Sequence, residues 1–160
     1  MKESVYIETS IISYLCSRPS RDLVIAANQE VTREWWDQRR GMYDLYVSGY
    51  VIAEIAAGDE DAAARRMAMV EGIPILDAND EVIRLTEEIM RSLKLPSQLE
   101  ADMEHVAIAS VHGMDYVLTL NMTHIANPHW QALLEKAITD AGYNMPLMCV
   151  PQALLEGESR

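Results

Sequence analysis

Val5-Tyr6-Ile7-Glu8-Thr9-Ser10-Ile11-Ile12 runs from a β-rich apolar stretch, through an acid and two hydroxyl residues, into a second apolar stretch that continues to Leu15. The first half has the branched and aromatic composition of a strand. Thr9 and Ser10 then offer N-cap hydroxyls to a helix. The segment therefore reads as strand, tight turn, helix, and the same grammar recurs along the chain. Leu23, Ala27, Val31 and Trp35 recur at helical spacing, giving a long amphipathic helix that stops at Arg39-Arg40-Gly41. Leu45-Tyr46-Val47 is a second strand, and Ser48 caps a short helix through Ile52 and Ile55 that ends at Gly58. Another helix covers Asp59 to Val70.

Ile73 to Leu76 is strand-like, and Asn79 or Asp80 caps a helix with Val82, Leu85, Ile89 and Leu93 as its apolar stripe. Pro96 breaks the chain. A helix from Leu99 to His112 ends at Gly113, Tyr116 to Thr119 is a strand, Asn127-Pro128 opens a helix, and Leu147 to Val150 is a last strand. Strands separated by helical crossovers rather than hairpin turns imply a parallel sheet covered on both faces. The fold class expected is three-layer α/β/α with a central, mostly parallel sheet, and residues 1–160 read as one domain.

Composition narrows the function. The 160 residues are 49% apolar, enough for a substantial core, and no apolar run reaches the ~18 residues of a membrane span. A soluble, cytoplasmic protein with no membrane partner is expected. Two cysteines, Cys16 and Cys149, have no paired spacing; each reads as a small buried hydrophobe, which suits a reducing compartment. The formal net charge of −12 opposes binding of a free polyanion unless carboxylates hold divalent cations that bridge to phosphate.

In an open parallel sheet, ligands gather beyond the C-terminal strand ends, so the residues just after each strand are the candidates. Glu8 ends the first strand ahead of helix amides that favour an anion, although a solvated turn carboxylate would look the same. Glu54 is the only charged residue between Leu45 and Gly58, and a lone charge in an apolar segment requires a partner. Asp102 lies in the first turn of its helix with His105 one turn on, and a lone helical His is more often structural than a ligand. Thr119-Leu120-Asn121-Met122-Thr123-His124 places an amide and an imidazole after the fourth strand. Two carboxylates ~5 Å apart repel by roughly 3 kcal/mol at an effective dielectric near 20, so converging acids need a cation or a shared proton. All-oxygen donors suit Mg²⁺ or Mn²⁺; zinc is disfavoured because neither Cys nor His shows ligand spacing.

Four segments in this order resemble the PIN-domain proteins, particularly the VapC-type toxins of type II toxin-antitoxin systems. They are Tyr6 to Ile12, Ser48 to Glu54, Asp102 to Ala109 and Thr119 to His124. The resemblance implies a Mg²⁺- or Mn²⁺-dependent endoribonuclease in which Glu8, Glu54 and Asp102 bind metal. Thr9 or Ser10 would orient Glu8 or touch a phosphate, and Asn121 would hold a water. It also implies an RNA substrate, an antitoxin partner and a homodimer, with Trp35, Trp36, Trp130 and the methionines as a source of apolar surface. Two departures stand out: Glu8 replaces the usual Asp, and His124 stands where a fourth acid is usual. These departures and the net charge leave an alternative, a catalytically weak or inactive PIN-fold module that binds RNA or a protein. Arg18/Arg21 and Arg65/Arg66 are candidate phosphate clamps, or ordinary solvated surface.

Overall fold

The computed structural model describes residues 1–156. Its strands are β1 (Ser4–Ile7), β2 (Asp44–Ser48), β3 (Ile75–Leu76), β4 (Tyr116–Leu118) and β5 (Leu147–Cys149). They form one sheet in the order β3-β2-β1-β4-β5, with every pairing parallel. The helices are α1 (Thr9–Cys16), α2 (Leu23–Gln38), α3 (Gly49–Ile55), α4 (Glu60–Met69), α5 (Asp80–Ser92), α6 (Glu100–Val111), α7 (Pro128–Asp140) and α8 (Pro151–Glu156). The three-layer α/β/α architecture expected from the alternation is what forms. No helix of the described residues is long and apolar enough to cross a membrane.

Strand order decides which face each helix covers. From β1 to β3 the chain steps along the sheet in one direction, and from β3 to β4 it crosses back past β1. Right-handed crossovers therefore place the connections on opposite faces. In agreement, α1 packs on α2 and α4, and α2 packs on α8, while α5 packs on α6 and α7. The order reverses between β1 and β4. In doubly wound sheets that junction opens a crevice at the C-terminal strand ends.

Local chemistry sets most boundaries. Ser48 caps α3 by accepting from the Val51 amide at 3.3 Å, Asp59 caps α4, and Asn79 rather than Asp80 caps α5. Gly113 adopts φ +68° just past α6, a conformation that lets the chain turn into β4 and that a Cβ would strain. Tyr6, Ile7, Val47, Val117 and Leu118 are buried on the sheet, and Met103, Val106, Ala107 and Ile108 of α6 close over it. A helix with so wide an apolar surface belongs between layers, as α6 is, rather than at the periphery.

Three local expectations are corrected. Thr9 and Ser10 do not cap α1; Glu8 does, its carboxylate accepting from the Ser10 amide at 3.2 Å, and both hydroxyls lie inside the first turn. The stripe expected on α2 is buried only at Trp35, with Val31 half-buried and Leu23 and Ala27 exposed. Leu23 is 85% exposed, and the side buried against α1 and α8 carries Gln29, Thr32, Trp35 and Trp36. Gln29 can be buried because it spans the preceding loop, accepting from the Ser20 amide at 2.9 Å and donating to the Arg18 carbonyl at 3.0 Å. Cys16 and Cys149 are free and half-buried rather than buried, although burial pushes the Cys149 thiol up to about 12.

Candidate active site

Glu8, Glu54 and Asp102 come from different elements: the end of β1, the last turn of α3 and the first turn of α6. Each is held by its own set of donors. Glu8 is only 6% exposed. Its Oε1 accepts from the Thr119 hydroxyl at 2.5 Å and from the Ser10 hydroxyl, and its Oε2 accepts from the Ser10 amide. Thr119 follows β4, so this bond closes the junction between β1 and β4 at the level of the strand ends. The Ser10 hydroxyl also accepts from the Leu120 amide at 2.8 Å, tying the start of α1 to the same loop.

Glu54 finds the partner that its isolation in an apolar segment demanded. Its Oε1 accepts from the Thr9 hydroxyl at 2.6 Å and meets His105 Nε2 at 2.6 Å. Burial alone would raise the Glu54 carboxyl, but these two hydrogen bonds and the attraction of His105 outweigh it and hold the group below the usual glutamate range. His105 is 2% exposed, and its Nδ1 lies 2.6 Å from the Tyr6 hydroxyl, itself 2.7 Å from Ser48 Oγ. Ser48 Oγ accepts from the Val51 amide. One consistent set of donors therefore runs from Ser48 through Tyr6 to His105 Nδ1, and from His105 Nε2 to Glu54. His105 is thus buried with a partner on each ring nitrogen, an arrangement that orients Glu54.

Tyr6→Phe deletes the middle of that relay and leaves His105 Nδ1 buried without its partner. We expect a loss of about 1–3 kcal/mol in a urea denaturation series, the cost of an unsatisfied buried polar group. An unchanged midpoint would mean that the relay does not stabilise the fold.

Asp102 is gripped from the β4 side. Asn121 Nδ2 donates to its Oδ1 at 3.1 Å, and His124 Nδ1 lies 3.0 Å from its Oδ2. Asn121 is positioned in turn: its amide donates to Thr119 Oγ1 at 2.9 Å, and its Oδ1 accepts from the His124 amide at 3.0 Å. The rim is thus one connected network, with Thr119 bonded to Glu8 and, through Asn121, to Asp102. Thr9, next to Glu8 in the chain, reaches Glu54. Close by, burial and then the charge of Glu100 raise the carboxyl of Glu104, with Glu54 adding to the effect. The surroundings are acidic, the condition under which a cation is attracted.

A hard divalent cation can be tested against these donors. Carboxylate oxygens and an amide side chain are the donor types that Mg²⁺ and Mn²⁺ take; Glu8 Oε2 and both oxygens of Asp102 each accept one hydrogen bond and keep a second lone pair, whereas Glu8 Oε1 and Glu54 Oε1 already meet two partners each. No described residue donates to Glu54 Oε2, which leaves that oxygen available. In spacing the match is incomplete: among the described residues, no group of three or more His, Cys, Asp or Glu side chains stands close enough to hold an ion. The residues suit such an ion in chemistry but do not form a ready coordination sphere.

Sequence reasoning named Glu8, Glu54, Asp102, Asn121, Thr9, Ser10 and His124, and all of them lie in this network. It missed Thr119 as the link between the acids, and it missed Tyr6 and Ser48. The alternation of a strand does signal Tyr6, which shares a face of β1 with Glu8 two residues on. Thr119 carries no comparable local signal.

Residues 5–124, most of the chain, match the PIN domain family. The chain belongs to the PIN domain family. Among solved structures, this PIN domain resembles a chain of the VapBC2 complex from Rickettsia felis bound to a DNA fragment from its promoter. The TM-score is 0.56 at 11% identity, covering 92% of this chain and 98% of that one. A chain of the VapBC-5 toxin-antitoxin complex from Mycobacterium tuberculosis also matches, with TM-score 0.46 and 14% identity over 92% of this chain and 96% of that one. At such identities the first likeness bears on the fold alone. A comparison with curated proteins found no match.

Proposed function

We propose that this PIN domain is a divalent-metal-dependent endoribonuclease of the VapC toxin type, acting in the cytoplasm and restrained by an antitoxin protein. The observation that supports this most is the rim network, in which Thr119 and Asn121 tie Glu8 to Asp102 across the junction of β1 and β4. Glu8, Glu54 and Asp102 would hold Mg²⁺ or Mn²⁺. When bound, the ion would supply Lewis acidity to the scissile phosphodiester and to the attacking water. The protein's own part is orientation: Thr9 and His105 aim Glu54, Ser10 and Thr119 aim Glu8, and Asn121 and His124 aim Asp102. Hydrogen bonds that orient a metal-binding carboxylate commonly change metal affinity or activity by about 10–100-fold.

An antitoxin is proposed because the neighbour from Rickettsia felis comes from a VapBC complex. Pairing of two copies is also proposed, and it would have to use surface other than Trp35 and Trp36, which are both buried. The reading is tested by incubating an end-labelled mixed RNA pool with partner-free protein in Mn²⁺, in Mg²⁺ and in EDTA. Cleavage in metal and none in EDTA is expected. Specific observations also favour the second reading, a non-catalytic PIN module: the acids are not gathered to ligand spacing, and both oxygens of Asp102 are engaged by protein donors. RNA retention without turnover in any metal would establish that alternative in place of the nuclease.

A further inference from the structure

Away from the acid rim, the far end of α1 meets α4 in a pocket of about 190 Å³ lined by Arg18, Arg65, Arg66, Ser13, Cys16 and Ser17. The chain carries 25 acids against 13 Lys and Arg, yet among the described residues no acid lines this pocket. Three arginines from positions up to 48 residues apart line it. Among the described residues, Arg18 and Arg65 make no ion pair or side-chain hydrogen bond. Arg66 is fixed in place: its Nε donates to the Ile55 carbonyl at 2.9 Å and its Nη2 to the Ala57 carbonyl at 2.7 Å, capping the end of α3. An arginine has five donors, so this cap leaves others for a ligand. Burial raises the Cys16 thiol on the pocket wall, and the charges of Arg66 and Arg65 oppose that push. Arg21, paired with Arg18 in the expected clamp, does not line the pocket.

We propose that this pocket is a phosphate subsite, seating one backbone phosphodiester of the RNA strand whose scissile group lies at the acid rim. The proposal rests on the ribonuclease reading and adds where the substrate is held. Grouped arginines with the Ser13 hydroxyl beside them suit a phosphate oxyanion, for which a planar fork of N–H donors is well matched; the Ser17 hydroxyl is already committed to the Ser13 carbonyl. The spacing also suits one strand. Glu8 caps α1 and the pocket closes its other end, so the two sites are separated by about the length of an eight-residue helix, ~12 Å at 1.5 Å per residue. A single strand covers that distance in a few nucleotides. The subsite answers the objection that the net charge raises: the molecule repels a polyanion as a whole but presents one local cationic foothold.

The test is equilibrium binding of a short fluorescein-labelled single-stranded RNA in EDTA, followed by anisotropy across a salt series, so that cleavage plays no part. The wild type is compared with Arg18→Gln/Arg65→Gln and with Arg33→Gln, whose partner is the neighbouring Glu30. Arg66 is left intact because it caps α3, and circular dichroism verifies the fold. We expect the double variant to bind about tenfold more weakly and to lose roughly 0.7 from the slope of log K against log salt, the value of one single-strand phosphate contact. Arg33→Gln should match the wild type. Equal affinity and slope in the double variant, or an equal loss in Arg33→Gln, would overturn the subsite and leave the nuclease reading standing. Absence of RNA binding by the wild type in both EDTA and Mn²⁺ would overturn both.

Discussion

Asp102→Asn is expected to fold as the wild type does and to lose metal-dependent RNA cleavage by about 10²–10³-fold, the usual scale for removing one group that stabilises charge in a transition state. The geometry separates the two consequences. An asparagine keeps Oδ1 as acceptor for Asn121 Nδ2, and its new amide can donate where Oδ2 now faces His124 Nδ1. The side chain is only partly buried, so its stability change should stay within about 1 kcal/mol. What is lost is the charge that a divalent cation would neutralise. Cleavage rates on the same RNA, with wild type and variant purified identically, give the answer. Undiminished cleavage by Asp102→Asn would remove Asp102 from the catalytic set and leave Glu8 and Glu54 to be tested in its place.

Trp35→Ala should cost about 3–5 kcal/mol of stability, a large share of the 5–15 kcal/mol typical of a domain. Trp35 is fully buried, and its ring lies 5.8 Å from Tyr43, which in turn stands edge-on to Tyr116 at 6.2 Å. These aromatics pin α2 to the sheet through the loop ahead of β2. Among the described residues the indole Nε1 has no hydrogen-bond partner, so the contribution is packing and burial rather than polar contact. Guanidinium unfolding of both proteins measures the loss. Light scattering on the same samples addresses pairing: a core role predicts lower stability at an unchanged oligomeric state. A variant as stable as the wild type but shifted in mass would return Trp35 to an interface.

Much of the site was legible because the signals are local. An acid at the end of an apolar β-rich run, a lone glutamate in an apolar helix, and an acid in the first turn of a helix all concern neighbours a few residues away. The same holds for the caps at Ser48, Asp59 and Asn79, and for the stop at Gly113. Where local pattern misled, a competing contact prevailed. Apolar residues recur along α2 at helical spacing, but α1 and α8 pack against the side bearing Gln29, Thr32 and the two tryptophans, which leaves Leu23 in solvent. Thr9 and Ser10 looked like caps, yet their hydroxyls bond to Glu54 and Glu8 because those carboxylates are the stronger acceptors within reach.

The residue pattern alone implies the alternation of strands and helices, hence a covered parallel sheet, and puts three acids and an amide at the ends or flanks of those elements. Which of these side chains meet depends on the strand order. Thr119 reaches Glu8 across 111 positions, His105 reaches Glu54 across 51, and Tyr6 reaches His105 across 99. None of these pairs is implied by hydrophobic period or capping, which act over one or two turns. They follow from the strand order β3-β2-β1-β4-β5, which makes the ends of β1 and β4 neighbours. That order is settled by how right-handed crossovers bury both faces of the sheet together, a property of the whole chain.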